Sequence, residues 1–167
     1  LGGVTNSAMT ISHEIGHTLG LEHDGNSNQS YQGRLEANGI SWGPLMGAPF
    51  GAQLTQFSNG GYADANNQQD DLSIITTHNG FGYRVDDFGN SIGEATALNQ
   101  EGETGFAHTF GLIERNTDYD YFSFHAGAGA ANIDVEGLGA ASNLDILAEI
   151  VDLSLIHISE PTRLRSI

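Results

Sequence analysis

Apolar residues recur at helical spacing close to the beginning of the chain. The spacing between residues 6 and 19 predicts an amphipathic α-helix, because side chains three and four positions apart share one helix face. Asn6 or Ser7 would cap its first turn, and Gly20 stands just after the last periodic residue, where a left-handed residue commonly ends a helix. The apolar stripe consists of Ala8, Met9, Ile11, Ile15, Thr18 and Leu19.

The periodicity is lost in the following segment. Residues 24–62 are rich in Gly, Asn, Ser and Pro, a composition that predicts loops and turns. We expect larger side chains to hold these loops together. They are Tyr31, Trp42, Met46, Phe50 and Phe57.

A second helix is predicted over about 66–78. Asn66 or Asn67 would cap it, and two acidic residues in its first turn would suit the positive end of the helix dipole. These residues are Asp70 and Asp71, and the side chains that would pack inward are Leu72, Ile74 and Ile75.

After Gly80 the pattern changes to short segments with a period of two. Phe122 and Phe124, for example, alternate with more polar neighbours, which is typical of half-buried strands. We therefore expect part of a β-sandwich, joined to the helical part between residues 80 and 90, and an α+β fold class overall. The predicted strand segments are 104–113, 119–126, 131–135 and 144–151.

The composition of the chain excludes several classes of function. Its 167 residues contain 21 acidic residues against five Arg and no Lys, for a formal net charge of −16. Proteins that bind nucleic acid or anionic membranes use Lys and Arg to neutralise phosphates, so neither partner is expected. The absence of Cys excludes disulfides and thiolate ligands, and no apolar run approaches the roughly 20 residues of a membrane span.

Both ends of the chain indicate how much of a natural protein it represents. Residues 1–4 show neither a Met start nor the charged-then-apolar pattern of a signal peptide, so we expect a fragment of a longer protein. Residues 153–163 resemble a translated sequencing-library adapter, and we expect 153–167 to be an artefact of that origin. The alternative is a genuine apolar C-terminal strand.

The candidate chemistry lies in a short histidine-rich segment. His13 and His17 stand four residues apart and would project from one helix face, so that both imidazoles reach one metal ion. Gly20 lets the chain turn sharply, and His23 would swing back to the same ion. Three neutral imidazoles leave a fourth position for water, as in catalytic zinc sites. Glu14 would act as general base towards that water and then as general acid towards the leaving amine.

The motif resembles that of the metzincin metallopeptidases, and Asp24 after the third His is similar to the reprolysin (adamalysin-like) branch. The residues alone leave two roles open for Asp24, a hydrogen bond that supports the third ligand or the opening of a turn. The resemblance implies a Met in a tight turn beneath the metal, and Met46 is the candidate. Pro49 and Phe50 would then form a wall of the substrate pocket, although Phe50 as ordinary core is the alternative. Ala48 stands where some branches place a Tyr ligand, so no Tyr ligand is expected.

The resemblance extends over about residues 1–80 and implies the C-terminal portion of a catalytic domain whose sheet lies upstream. Because this part has no Cys, it resembles bacterial secreted enzymes rather than the disulfide-bonded reprolysins of animals. Residues 81–90 would form a linker. Residues 91–152 resemble, more loosely, the β-sandwich of the bacterial pre-peptidase C-terminal domain. The features that carry this second resemblance are the motifs at 86–90, 111–113, 118–124 and 143–146.

Asp118 and Asp120 in the second region are open to two interpretations. Their carboxylates are hard oxygen ligands of the kind that Ca²⁺ prefers. Alternatively they are turn-forming, solvated acids at strand edges.

The leading function is a secreted zinc endopeptidase that cleaves protein or peptide substrates through a metal-activated water. One alternative is a non-catalytic adhesion or binding module, in which the β-sandwich carries the function and the metal-binding part is an inactive remnant. Another is a metal-stabilised structural unit. An intact Glu14 counts against an inactive remnant, and three ligands with an open position count against structural zinc. We expect the isolated chain to be poorly stable and inactive.

Overall fold

The protein is described here from a computed structural model. The structure describes residues 3–37, 39–100, 105–137, 143–144, 146–151 and 162–164, with only the backbone given for residues 37 and 162–164. The described residues form two compact units, one within Leu1–Gly80 and Asp134–Ile167 and the other within Phe81–Ile133. Helices and small sheets occur together, so the predicted α+β class is confirmed.

Helix α1 spans Val4–Thr18, which confirms a helix in the first segment. Its N-cap is Gly3, without a side-chain capping bond, so the prediction of Asn6 or Ser7 as cap is wrong. Both residues already lie inside the first turns, beyond the position from which a side chain can cap the helix. The apolar stripe is largely exposed among the described residues, with Ile11 at 60% and Ile15 at 52% exposure.

The end of α1 is a Schellman motif. Gly20 has φ +91°, its N–H donates to His17 O over 3.1 Å, and the N–H of Leu21 donates to Gly16 O over 3.1 Å. This pair of bonds satisfies helix carbonyls that would otherwise lack donors. The same geometry reverses the chain, and buried Leu21 brings the following segment back towards the helix.

A three-stranded sheet follows, where the sequence predicts only loops. Strands β1 (Leu35–Ala37) and β2 (Ile40–Pro44) pair antiparallel, and β2 pairs parallel with β3 (Leu54–Gln56). The prediction is wrong over these residues because strands of three to five residues are too short for a clear period of two. Gly43 and Pro44 in β2 also obscure the signal.

The buried centre of this unit is a turn at the end of β2. Gly47 N–H donates to Pro44 O over 2.9 Å and closes the turn around Met46, which is fully buried. Of the side chains predicted to hold the loops, Tyr31 and Phe50 are about half exposed. The buried hydrophobic residues are Leu21, Leu45, Met46 and Leu54.

The second helix is shorter than predicted. Helix α2 spans Asp71–Ser73 and continues as a wider π-helical turn over Ile74–His78. Asp70 caps it, its carboxylate accepting from Ser73 N over 2.9 Å. Asn67 cannot serve as the cap because its side chain is engaged elsewhere, donating to Asp24 Oδ1 and accepting from Gln69 N.

In the second unit the described residues form little regular structure. A 3₁₀ turn at Ile92–Glu94 precedes β4 (Thr96–Ala97), which pairs parallel with β5 (Phe122–Ser123). Predicted segment 119–126 thus contains a strand. No strand forms at 131–135 or in the described part of 104–113, so these two predictions are wrong. Alternating apolar and polar residues form a sheet only where a neighbouring strand is available to pair with them. The β-sandwich stays a prediction.

The predicted strand at 144–151 contains β6 (Ile146–Ala148). It pairs antiparallel with β7 (Thr162–Leu164), which falls within the segment expected to be an artefact. The rest of that segment, like residue 104, lies outside the described residues. No described helix has both the length and the apolar character needed to cross a membrane.

Candidate metal centre

The structure brings His13, His17 and His23 together. The first two project from α1, and the Schellman turn at Gly20 returns the third to them. One ring nitrogen from each residue lies within 4.8 Å of the other two. Nε2 of His17 and Nε2 of His23 lie 2.9 Å apart. Tetrahedral coordination at 2.0–2.1 Å requires ligand nitrogens about 3.3 Å apart, a separation within the range that these rings span.

Hydrogen bonds determine the tautomer of two of these rings. Nδ1 of His13 lies 2.9 Å from Leu45 O, and Nδ1 of His17 lies 2.8 Å from Leu21 O. A carbonyl oxygen can only accept, so in both rings the hydrogen is on Nδ1. In the neutral imidazoles Nε2 therefore carries a lone pair, as in metal sites where a second group orients each histidine.

The electrostatic environment favours a neutral third imidazole. Burial lowers the pKa of His23, and the neighbouring His17 and His13 lower it further, while Glu14 opposes them. A lower pKa keeps the ring unprotonated at neutral pH, the form that binds metals. These three residues could therefore hold a metal ion.

Glu14 lies beside this cluster at a small cavity. The cavity has a volume of about 180 Å³, and Glu14 is an exposed residue of its lining. Pro49 and Phe50, the predicted pocket residues, line it as well. Its other lining residues are Met9, Thr10, His13, Tyr31, Leu45, Gly47 and Ala48.

Met46 lies against the helix that carries the histidines. A Cβ atom on Gly16 would clash with Sδ of the buried Met46 side chain, which would have to shift to accommodate it. The turn is also tied to the cluster through its backbone, since Leu45 O accepts from His13 and Met46 O accepts from Asp24 N over 2.9 Å. Gly16 was not among the predicted site residues. Its position between His13 and His17 on α1 is the sequence feature that could have indicated it.

Replacing Gly16 by alanine is expected to destabilise the chain by about 1 kcal/mol. Alanine gains about 1 kcal/mol of helix propensity over glycine, but overpacking against buried Met46 costs about 1–3 kcal/mol. Urea denaturation measures the difference. In a Met46→Ala background the clash is absent, so Gly16→Ala should become stabilising there; equal effects in both backgrounds would contradict the packing argument.

Asp24 is fully buried and connects three segments. Its backbone N–H donates to Met46 O, its carbonyl accepts from Gln32 N over 2.6 Å, and Oδ1 accepts from Asn67 Nδ2 over 3.3 Å. No described hydrogen bond joins its carboxylate to an imidazole. Its contacts thus fix the loop and the turn around the metal cluster.

Asp71 forms a second buried carboxylate near Asp24. Oδ2 of Asp71 accepts from Ser58 N over 3.0 Å, whereas Asp71 Oδ1 and Asp24 Oδ2 have no partner among the described residues. Burial and the mutual proximity of the two acids raise the pKa of Asp24 to about 7. Burial is also the main reason that the pKa of Asp71 is raised to about 6. The sequence analysis placed Asp71 in the first turn of the second helix and missed its proximity to Asp24.

A separate acidic cluster lies within the second unit. Two overlapping sets of carboxylates each place their oxygens within 4.8 Å of one another, and Asp86 belongs to both. Asp120 has one buried oxygen without a partner among the described residues, and burial with nearby acids raises its pKa to about 6. The two sets are Asp86, Glu114 and Asp118, and Asp86, Asp87 and Asp120.

Comparisons of this chain with family models, with curated proteins and with solved structures find no match.

Proposed function

We propose that the chain carries the metal-binding part of a secreted zinc endopeptidase of the metzincin type, in its reprolysin-like bacterial branch. One observation supports this most: three imidazoles present convergent nitrogens, and the first of them, His13, lines a cavity together with Glu14. An all-histidine set with no fourth protein ligand among the described residues is typical of catalytic zinc. The chemistry of the donors and their mutual distances fit Zn²⁺.

His13, His17 and His23 would hold the ion, and Zn²⁺ when bound lowers the pKa of water and polarises a carbonyl group. Glu14 takes a proton from the attacking water and later delivers it to the nitrogen of the leaving amine. The bonds from His13 and His17 to backbone carbonyls keep both rings in the metal-binding tautomer. The cavity beside Glu14 would receive a side chain of the peptide, with Pro49 and Phe50 in its wall.

The competing function, an adhesion module with an inactive metal-binding remnant, is less well supported. A remnant is under no constraint to keep a carboxylate at the cavity beside the first histidine, yet Glu14 lies there. The two functions are distinguished by a casein zymogram with and without a chelator, in which wild type is compared with Glu14→Ala. Cleavage is assayed in a polypeptide that carries this motif together with any upstream sheet.

We further propose that the acidic cluster of the second unit binds Ca²⁺. Backbone N–H groups donate to one oxygen on each of two carboxylates in the cluster. Glu114 N donates to Asp118 Oδ2 over 2.8 Å, and Leu112 N donates to Asp87 Oδ2 over 3.2 Å. The opposite oxygen of Asp118 and one of Asp120 are buried without a partner among the described residues. A hard cation would supply the missing positive charge.

Calcium at one hundred times its Kd is expected to raise the free energy of unfolding by about 2.7 kcal/mol. Asp120→Asn should remove most of this increase, whereas Asp134→Asn, an exposed acid outside the cluster, should retain it. Thermal denaturation with calcium, and with magnesium for comparison, measures the effect. An unfolding midpoint that calcium leaves unchanged in the wild type would show that these acids are only solvated turn residues.

A further inference from the structure

The third histidine of the cluster is held differently from the other two. His13 and His17 are oriented by hydrogen bonds from Nδ1 to backbone carbonyls. Nδ1 of His23 makes no such bond to a described residue. Its ring instead packs against Tyr31, with centroids 4.3 Å apart and an interplanar angle of 42°.

Tyr31 contacts the cluster at two points. Its ring also stacks near His13, with centroids 6.2 Å apart and planes inclined by 28°. The side chain is 46% exposed and lines the cavity that contains Glu14. A side chain that serves only to fill the core would be more deeply buried than this. The phenol hydroxyl makes no hydrogen bond to a described residue. The ring contacts are therefore the main interactions of this side chain.

The backbone on one side of Tyr31 is fixed firmly. Gln32 is buried, its N–H donates to Asp24 O over 2.6 Å, and its carbonyl accepts from Ala48 N over 2.8 Å. These bonds close the loop that begins after His23 and attach it to the Met46 turn. The ring of Tyr31 is thereby placed over His23 by groups that take no part in metal binding.

We propose that Tyr31 is a positioning residue that holds the His23 imidazole in its metal-binding orientation through ring contact. This inference rests on the proposed metal site and adds a residue that the histidine motif does not contain. The flat ring performs this role and the hydroxyl does not. Groups that orient metal-ligating histidines typically contribute 10–100-fold to metal affinity.

The test compares Co²⁺ and Zn²⁺ binding by the 167-residue chain and its variants. Tyr31→Ala is expected to weaken the affinity about 10–100-fold and to alter the visible absorption of bound Co²⁺, because one ligand is no longer held. Tyr31→Phe keeps the ring and should bind within about threefold of wild type. Phe81→Ala, which removes an exposed ring outside the described ring contacts of the histidine cluster, is the control and should also leave metal affinity unchanged.

The outcomes separate this inference from the proposed function. If the wild-type chain binds neither ion, the metal site itself fails. If wild type binds and Tyr31→Ala binds equally well, or if Tyr31→Phe loses as much affinity as Tyr31→Ala, only the role of the ring is overturned. Circular dichroism of the metal-free chains checks folding, and Tyr31→Leu, with the same expected loss, replaces Tyr31→Ala if the latter unfolds.

Discussion

Glu14→Ala is expected to reduce peptide-bond cleavage by about 10²–10⁴-fold, the usual contribution of a general base, while zinc affinity changes by less than about threefold. The substitution is expected to affect cleavage and not zinc affinity because Glu14 lies beside the metal cluster without belonging to it. Three histidines supply the converging nitrogens, whereas Glu14 is an exposed residue that lines the cavity. Removing it takes away the proton acceptor and leaves the ligands in place.

The measurement is the rate at which a polypeptide that carries this motif together with any upstream sheet cleaves a fluorogenic peptide library, combined with zinc titration of the same preparations. Glu36→Ala is the control, since Glu36 is an exposed acid paired with Arg34 on the surface and should leave cleavage unchanged. Wild-type rates from Glu14→Ala would mean that another group is the base. Loss of zinc together with activity would instead make Glu14 a ligand.

His17→Ala is expected to weaken zinc binding by more than about 100-fold. Replacing a group that merely orients a ligand costs 10–100-fold, so loss of a ligand itself must cost more. His17 belongs to the converging set, since its Nε2 lies 2.9 Å from Nε2 of His23. Cleavage should be lost as well, and added zinc should not restore it at concentrations that saturate the wild type.

The matched control for this substitution is His78→Ala. His78 is an exposed histidine at the end of the π-helical turn in the same unit, outside the cluster. Competition with a chromophoric chelator gives the affinities of both variants. Equal zinc affinity of His17→Ala and His78→Ala would show that the converging nitrogens do not bind the ion.

The parts of the site that depend on local geometry were predictable from the sequence. Histidines four positions apart on a helix share one face, whatever surrounds the helix. A glycine just after the helix likewise indicates a left-handed residue from the residue type alone. Gly20 has a positive φ of +91°, as this prediction requires. Helix α1 and the α+β class followed from patterns of the same short range.

Contacts between distant segments were not predictable in this way. Tyr31 reaches His13 and His23 only because Gln32 is bonded to both Asp24 and Ala48, and no periodicity encodes that loop closure. Asp71 resembles an ordinary first-turn acid until the fold buries it.

Secondary structure that depends on contacts with distant residues was unpredictable for the same reason. The parallel pairing of β2 with β3 joins residues such as Trp42 and Leu54 across an intervening loop. A helix start at Asp70 rather than Asn67 depends on Asn67 being drawn to Asp24. In both cases the deciding interaction is tertiary, and a short sequence window does not contain it.

The zinc content of the folded chain tests the metal centre most directly. After equilibration with zinc and extensive dialysis, elemental analysis is expected to find one zinc ion per wild-type chain and almost none in a chain with His13, His17 and His23 all replaced by alanine. Equal zinc content in the two chains, whether high or negligible, would contradict a metal centre formed by these three imidazoles.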